Sequence, residues 1–316
     1  MRITQGMMAT HVLQNLMGNM RRLDRLNDQL SSGKEIRLPS HDPARIARSY
    51  DLRRSLNETA RYDANLRDAL AWLNATEAAL NEATTIMQRA RELTVRGADG
   101  TLPDEARKAI ADEIEQLIEA LLQVADSEHE GRKLFAGFRV NMGGSVFRVV
   151  EGQTDAKREF RYQGDFGQHV YRIGPQADLV INVLAADAEN ADDQDPSTAT
   201  GGVFLDALNA LESVRYNLSG AGDPTQVGST DLAALDDALD RLISARSVTG
   251  ARTNRVEMAD MRMKEFSINL RELLSKNEDV EIEEKVMELA MQEYAYRVAL
   301  QVGARVLQPN LADYLR

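Results

Sequence analysis

The stretch that decides the fold is residues 59–94, TARYDANLRDALAWLNATEAALNEATTIMQRARELT. Its apolar and small residues recur every three or four positions without a break, which is the spacing of one face of an α-helix. The helix begins earlier, because Asp42-Pro43 places an acidic N-cap before a proline at the first helical position. From Pro43 to Arg96 it would extend roughly 80 Å, at ~1.5 Å per residue. Since so long a helix cannot be buried in a compact globule, we expect a second long helix beside it.

The carboxy-terminal third of the chain supplies that second helix. From Thr225 to Gln308 there is no proline, and after Gly228 the glycines are Gly250 and Gly303. A polar patch at Ser275–Asp279 interrupts the apolar pattern. It lies where a break opposite the loop at residues 31–41 is expected.

The first 30 residues predict a helix from about Thr4 to Leu30 that pairs through a coiled-coil seam. Steps of three and four residues separate the seam positions, one of which is polar. Asn27 would fix the register of the pair or, alternatively, be a tolerated polar residue in contact with solvent. The predicted seam is Leu13, Leu16, Met20, Leu23, Asn27 and Leu30.

The last helix carries apolar residues on two nearly opposite faces at ~100° per residue. The first face is Ile282, Val286, Leu289, Tyr296, Leu300 and Leu307, and the second is Met287, Met291, Tyr294, Val298 and Val302. A single partner helix can cover one stripe, not two. The second face would therefore be covered by neighbouring copies of the chain or, alternatively, by a central position in its own bundle.

Between residues 135 and 184 the apolar period falls to two, which is typical of strands. Four strands are expected at residues 145–150, 158–162, 170–173 and 179–183. The predicted fold class is therefore mainly α: a long antiparallel helical bundle or coiled coil formed by the two ends, with a small inserted β domain. The predicted domains are residues 1–42 with 272–316, residues 43–139 with 190–271, and residues 140–189.

Composition excludes several classes of partner. Acidic residues outnumber basic ones by 50 to 38, so the formal charge of −12 disfavours nucleic acid and anionic membranes. The chain has no cysteine, which excludes disulfides and thiolate sites. No stretch has the length of a signal peptide or a membrane span.

Catalytic and metal-binding patterns are also absent from the sequence. The four histidines show no metal-ligand spacing, and we predict no metal, no cofactor and no enzymatic activity. Ser31 and Lys34 match the short S-x-x-K pattern of serine–lysine hydrolases, but its companion motifs are missing. A helix end with Gly33 in the left-handed conformation is the favoured reading of these residues.

Two segments around this loop resemble the signature after the first helix of flagellins and flagellin-like proteins. They are residues 30–36, LSSGKEI, and residues 39–44, PSHDPA. The loop-motif residues that the resemblance implies are Ser31, Ser32, Gly33, Ile36, Asp42 and Pro43.

Three further segments look closer to a hook–filament junction subunit of this family than to flagellin itself. They are residues 131–138, residues 162–165 with 173–174, and the ending at residues 303–316. The resemblance implies a structural subunit that joins hook to filament and assembles through its terminal helices. The implied assembly interface comprises Leu13, Leu16, Met20, Leu23, Leu30, Ile282, Val286, Leu289, Tyr296, Leu300, Leu307, Leu311 and Tyr314.

The same resemblance implies partners and a location. The partners would be other copies of the chain, the proximal hook-associated junction protein, flagellin, and an export chaperone at the carboxy-terminal helix. The location would be the extracellular flagellum, reached from the cytoplasm without a cleaved signal peptide. Flagellin and a cytoplasmic coiled-coil scaffold are the alternative functions.

Overall fold

A computed structural model describes residues 5–40, 42–150, 157–187, 199 and 201–307. Of the described residues, 71% are helical and the sheets are small and antiparallel, so the predicted fold class is confirmed. The helices are α1 (Gln5–Ser32), α2 (Pro43–Gly97), α3 (Asp104–Ala125), α4 (Val203–Leu218), α5 (Leu232–Glu278) and α6 (Ile282–Leu307).

Within the described part of the chain, the strands form three antiparallel hairpins. They are β1 (Glu128–His129) with β2 (Arg132–Lys133), β3 (Phe147–Val150) with β4 (Glu159–Tyr162), and β5 (Val170–Gly174) with β6 (Ala177–Val180). The last two hairpins confirm the four predicted strands. The first was not expected, because two-residue strands leave no detectable period in the sequence.

The chain divides into two compact units. The terminal unit comprises Met1–Glu58 and Glu265–Arg316, and the central unit comprises Thr59–Lys264. The helices α2 and α5 contribute residues to both units. The three-part division at residues 42, 139, 189 and 271 remains a prediction.

A continuous apolar core holds the central unit together. It includes side chains of the periodic stretch that predicted α2, and the inward residues of the two longer hairpins join it. Its fully buried members include Leu66, Leu73, Leu80, Met87, Ile114, Leu121, Phe204, Leu208, Leu235 and Leu242. Burial of this many large side chains provides most of the stabilisation that a domain needs.

Within the central unit, α2 and α5 lie side by side and run in opposite directions. Arg91 pairs with Asp236 at 2.6 Å, and Glu77 pairs with Arg246 at 3.8 Å. Residue numbers rise along one helix while they fall along the other, which defines the antiparallel arrangement. The predicted pairing of the two long helices is therefore confirmed.

The terminal unit contains α1, the loop that follows it, the start of α2, the end of α5, and α6. The helix α5 ends at Glu278, and α6 begins at Ile282. The interruption predicted at Ser275–Asp279 is confirmed at the last of these residues, and it positions the candidate functional site.

Candidate assembly interface

The end of α1 shows why the chain reverses direction there. The Ser32 hydroxyl donates a hydrogen bond to the Asp28 carbonyl oxygen at 2.6 Å and accepts one from the Lys34 backbone N–H at 3.3 Å. Gly33 has a φ of +66°, in the left-handed region where a Cβ is disfavoured. The predicted glycine helix end is confirmed.

The loop after α1 pairs with the break between α5 and α6. The Glu35 N–H donates to the Glu278 carbonyl oxygen at 2.7 Å, and the Val280 N–H donates to the Gly33 carbonyl oxygen at 3.1 Å. These bonds place Lys34 opposite Asp279 in a short antiparallel bridge. The two chain breaks are therefore joined by backbone hydrogen bonds.

Charged side chains reinforce this junction. Arg53 donates two hydrogen bonds to the buried carboxylate of Glu278, at 3.1 and 2.7 Å. The Lys34 ammonium lies 3.3 Å from Glu278 and also pairs with Asp279. Bidentate arginine pairs of this kind fix geometry as well as adding energy.

The pKa directions reflect these pairs. Burial alone would raise the pKa of Glu278, but hydrogen bonds from Arg53, Ser49 and Lys34 lower it overall. The hydrogen bond from Lys34 lowers the pKa of Asp279, and the same bond raises the pKa of Lys34. All three groups are therefore held in their charged forms.

A second set of bonds ties the start of α2 to the end of α5. The Asp42 carboxylate accepts from the backbone N–H groups of Ala44 and Arg45 at 3.1 and 3.0 Å, which confirms the predicted N-cap at Asp42-Pro43. The Arg45 guanidinium donates a hydrogen bond to the Asn277 carbonyl oxygen at 2.6 Å. The Asn277 side-chain amide donates to the Arg45 carbonyl oxygen and to the Ser49 hydroxyl.

We use the term reversal clamp for residues 33–35, 45, 53 and 277–280. Ile36, the apolar member of the loop motif, follows the clamp and is buried. Of the other motif residues, Ser32 and Gly33 end α1, whereas Asp42 and Pro43 begin α2. The motif therefore has a local structural role in this chain.

Beyond the clamp, α1 and α6 pack against each other in opposite directions. The Gln292 amide donates to the Asn19 side-chain oxygen at 3.3 Å. A Cβ added at Gly303 would lie 2.9 Å from Val12, so the two helices approach closely at that point. The less exposed positions of the pair include Val12, Leu16, Asn19, Leu23, Leu26 and Leu30 on α1, and Leu289, Gln292, Tyr296, Ala299 and Gly303 on α6.

The seam of this pair differs from the predicted one. Leu16, Leu23 and Leu30 belong to both, but Leu13 and Met20 are 51% and 55% exposed. Val12, Asn19 and Leu26 take the alternate positions, and Asn27 is exposed. Asn27 therefore does not fix the register of this pair, and the hydrogen bond between Asn19 and Gln292 is positioned to do so.

Only part of the predicted first face of α6 is covered by α1. Leu289 and Tyr296 are half-buried on the side of α1, whereas Ile282, Val286 and Leu300 are exposed. The second face is exposed throughout, at Met287, Met291, Tyr294, Val298 and Val302. The Leu307 side chain, Leu311 and Tyr314 lie outside the described residues. The assembly role of all these residues remains a prediction.

Several important residues were not found from the sequence. Arg53 and Glu278 form an ion pair although more than two hundred residues separate them in the sequence, and no local pattern predicts such a pair. Val12 and Leu26 could have been found by testing the second seam register, which also alternates steps of three and four. Gly303 resembles an ordinary helix-weakening residue until its close neighbour Val12 is seen.

The geometry does not support the serine–lysine reading of this loop. The Ser31 hydroxyl donates to the Asp28 carbonyl oxygen at 3.2 Å, rather than to Lys34. Lys34 is kept protonated by Asp279 and Glu278, whereas a general base must be able to take up a proton.

The described residues also hold no group of three or more His, Asp or Glu side chains that could bind a metal ion. None of the helices in the described ranges is long and apolar enough to cross a membrane.

Comparisons with known proteins agree with this picture. Residues 3–139 match the model of the bacterial flagellin N-terminal helical region. The chain is 23% identical to flagellar hook-associated protein 3 of Escherichia coli K12 over 303 residues, which covers 95% of each protein. It is 27% identical to a flagellin of Bacillus subtilis 168 over 296 residues, which covers 91% of this chain and 90% of that one.

A solved structure shares the fold. The flagellar junction protein of Legionella pneumophila matches with a TM-score of 0.55 at 14% identity, over 75% of this chain and all of that one. These matches confirm the resemblance seen in the loop motif and in the later segments. The chain is similar to the flagellin-like proteins, and its similarity to flagellar hook-associated protein 3 extends over nearly its whole length.

Proposed function

We propose that this chain is a structural subunit of the bacterial flagellum that joins the hook to the filament and assembles through its terminal helices. The observation that carries the proposal is the second face of α6, where five large apolar side chains stay exposed after α1 has packed. Soluble monomers rarely leave a contiguous apolar surface of this kind uncovered. Neighbouring subunits are the partners that would bury it.

The reversal clamp gives this surface a defined position. Because Arg53 and Lys34 both hold Glu278, the start of α6 is fixed relative to the end of α1. The clamp would present the terminal pair to neighbouring subunits at a constant angle. The function would then be mechanical, with different subunit contacts adapting a hook lattice that bends to a filament lattice that does not.

The proposal includes specific partners and a route. They are further copies of the chain, the proximal hook-associated junction protein, flagellin, and an export chaperone that covers α6 before assembly. An exposed apolar helix supports a chaperone, because such a surface promotes aggregation in the cytoplasm. Export without a cleaved signal peptide would bring the chain to the extracellular flagellum.

This function needs no reactive side chain, and we propose that the chain is not an enzyme. The subunit would work through packing and hydrogen bonding alone, without a cofactor. A fluorophosphonate probe is therefore expected to leave Ser31 unlabelled.

Flagellin itself is a second candidate, because the match to the Bacillus subtilis flagellin also spans about nine tenths of both chains. The two candidates differ in where the protein lies along the flagellum. A junction subunit occupies one level, whereas a filament subunit repeats along the whole length.

Immunogold electron microscopy separates these possibilities. The antibody would recognise the hairpins β3–β4 and β5–β6, and intact flagella would be labelled. Label at a single position where hook meets filament is expected. Label along the filament would instead establish a flagellin, and absence of label on sheared flagella would favour a cytoplasmic coiled-coil scaffold.

A further inference from the structure

Arg252, on α5 in the central unit, is a partly buried cation with no acidic partner among the described residues. Its guanidinium donates one hydrogen bond, to the Asn182 carbonyl oxygen at 3.0 Å. Burial lowers the pKa of Arg252, and among the described residues no carboxylate offsets that effect. A guanidinium has five N–H donors and stays protonated in proteins, so most of its donors remain available.

Other partly buried arginines of the central unit are neutralised. Arg158 and Arg215 both pair with the buried carboxylate of Glu212, at 3.2 and 2.6 Å. The exposed Arg241 also has an acidic partner, Asp206, at 2.6 Å. Charges removed from water are normally paired in this way, because desolvation without a partner is costly. Arg252, by contrast, has no such partner among the described residues, and this difference requires an explanation.

Arg252 lines a cavity of about 520 Å³. Gln168 and Ser244 contribute polar groups to the wall, and Val180, Val183 and Val248 contribute an apolar side. Cavities that bind small ligands commonly combine an apolar wall with a few convergent polar groups. The arrangement therefore suits a ligand with one anionic group and an apolar stem.

The residue that accepts the hydrogen bond from Arg252, Asn182, is itself held in place by hydrogen bonds. Asn182 is 4% exposed, and its side-chain oxygen accepts a hydrogen bond from the backbone N–H of His169 at 2.9 Å. Its amide donates to the Gly167 carbonyl oxygen at 2.8 Å. Because Asn182 is held on both sides, the carbonyl oxygen that binds Arg252 cannot move freely. A binding group held in place before the ligand arrives loses less entropy on binding.

The charge of the cavity selects among anions. The second guanidinium in its wall, Arg241, is already engaged by Asp206 and lies 3.6 Å from Asp187. Among the described residues of the wall, Arg252 therefore supplies one unpaired positive charge, and the Asp187 carboxylate lies in the same wall. A doubly charged phosphate would be repelled by those carboxylates, whereas a monocarboxylate matches the single guanidinium and its planar geometry.

We propose that this cavity is a carboxylate-binding site in which Arg252 binds the carboxylate and the valine wall receives the apolar stem. The carboxylate has two sources with the same chemistry. It can belong to a Glu or Asp side chain of a neighbouring protein, or to a free short-chain organic acid.

Calorimetric titration of the full chain tests the site directly. The ligands are sodium acetate, sodium butyrate and a capped glutamate peptide, with sodium chloride as the reference at equal ionic strength. Butyrate should bind more tightly than acetate, because its stem reaches the apolar wall. If the capped glutamate binds more tightly than butyrate, the source is a protein side chain; if butyrate binds more tightly, the source is a free acid.

Two matched variants identify the residue responsible. Arg252→Gln should weaken butyrate binding at least tenfold, while Arg255→Gln, an exposed position on the same helix, should leave it unchanged. Equal binding of butyrate by wild type and Arg252→Gln would overturn the proposal. Absence of binding by all three carboxylates up to the millimolar range would overturn it as well.

A measurement without ligand guards against misfolded variants. If Arg252 is an uncompensated charge, Arg252→Met should raise the melting temperature of the free protein. A purely structural role, through its bond to Asn182, predicts a lower melting temperature, and that result would contradict the site.

Discussion

The central unit and the terminal helix pair bury their apolar residues to very different extents. In the central unit, Leu66, Leu80, Ile114 and Leu121 are at most 1% exposed and belong to one continuous core. In α1 and α6 the buried positions among the described side chains are Leu26, Gln29 and Gly303, and one of these is polar. A helix pair in water is stabilised mainly by the apolar face that it buries.

The comparison indicates that the terminal pair is an incomplete structure. Its apolar residues are numerous, but most of them point away from the partner helix. Met287, Met291 and Tyr294 are each more than 60% exposed. Their stabilising effect therefore requires further subunits, whereas the central unit has its stabilisation within one chain.

The largest expected effect is on assembly. Leu300→Asp places a charge on an exposed apolar position of α6, and we expect it to abolish incorporation into flagella. Because Leu300 belongs to no core in the monomer, the central unit should remain folded. Counting incorporated subunits in sheared flagella by immunoblot measures this effect.

The control for that variant is Gln301→Asp, at the next exposed position of the same helix. It should incorporate normally. If Leu300→Asp flagella contained as much subunit as wild type, the assembly role of α6 would be wrong.

The next effect concerns the stability of the central unit. Leu80→Ala removes a fully buried side chain of the core and should lower the free energy of unfolding by about 2–5 kcal/mol. Met291→Ala, on exposed α6, should change it by at most about 0.5 kcal/mol. Urea unfolding followed by fluorescence of Trp72, which lies in the central unit, measures both variants. If both variants lost the same free energy of unfolding, the proposed difference in burial between the central unit and the terminal helix pair would be wrong.

The reversal clamp should have an intermediate effect. Glu278→Gln leaves Arg53 and Lys34 without their shared carboxylate and should destabilise the terminal unit by about 1–3 kcal/mol. The helical circular dichroism signal should fall at lower urea, while the Trp72 transition should stay in place. Glu281→Gln, an exposed position just outside the clamp, is the matched control. A shift of the Trp72 transition alone would contradict the assignment.

The stability that the reversal clamp provides should also depend on pH, at both acidic and alkaline values. The pKa values of Glu278 and Asp279 are lowered below their usual 4.5 and 3.8, so their stabilisation is lost as the pH falls through those lower values. The pKa of Lys34 is raised above 10.5, so its stabilisation is lost as the pH rises through the higher value. Stability of the terminal unit should therefore be flat from about pH 5 to 10. A circular dichroism melt at each pH checks the profile, and a steep change near pH 7 would contradict it.

The smallest effect should be on the pairing of α1 with α6. The chain has no native cysteine, so a disulfide between Asn19→Cys and Gln292→Cys reports the pairing directly. Adding Gly303→Val would force a side chain against Val12 and should slow disulfide formation several-fold. Ala304→Val, at the exposed neighbouring position, should not slow it. Equal rates in the two variants would mean that Gly303 is not at the contact.

Much of the fold could be predicted because long periodic segments specify helices strongly. The pattern at residues 59–94 predicted α2, and alternation predicted the strands β3 to β6. The hairpin β1–β2 was missed. A strand of two residues is too short to show an alternating apolar period, so the pattern gives no strand signal there.

The candidate site was predicted less completely. The loop motif located both helix ends correctly, because Gly33 and Asp42-Pro43 act locally. The predicted seam register was wrong, because Leu16 and Leu23 fit both registers and the sequence of α1 alone does not distinguish them. Its choice depends on which neighbours α6 offers, and the small Gly303 favours the register that contains Val12.

Hydrogen–deuterium exchange of the purified monomer tests the central claim most directly. If α1 and α6 are completed by neighbouring subunits, their backbone amides should exchange orders of magnitude earlier than those of the core segments of α2, α3 and α4 in the central unit. Protection of α1 and α6 equal to that of the central core would contradict the claim, because it would show that the terminal pair is stable in a single chain.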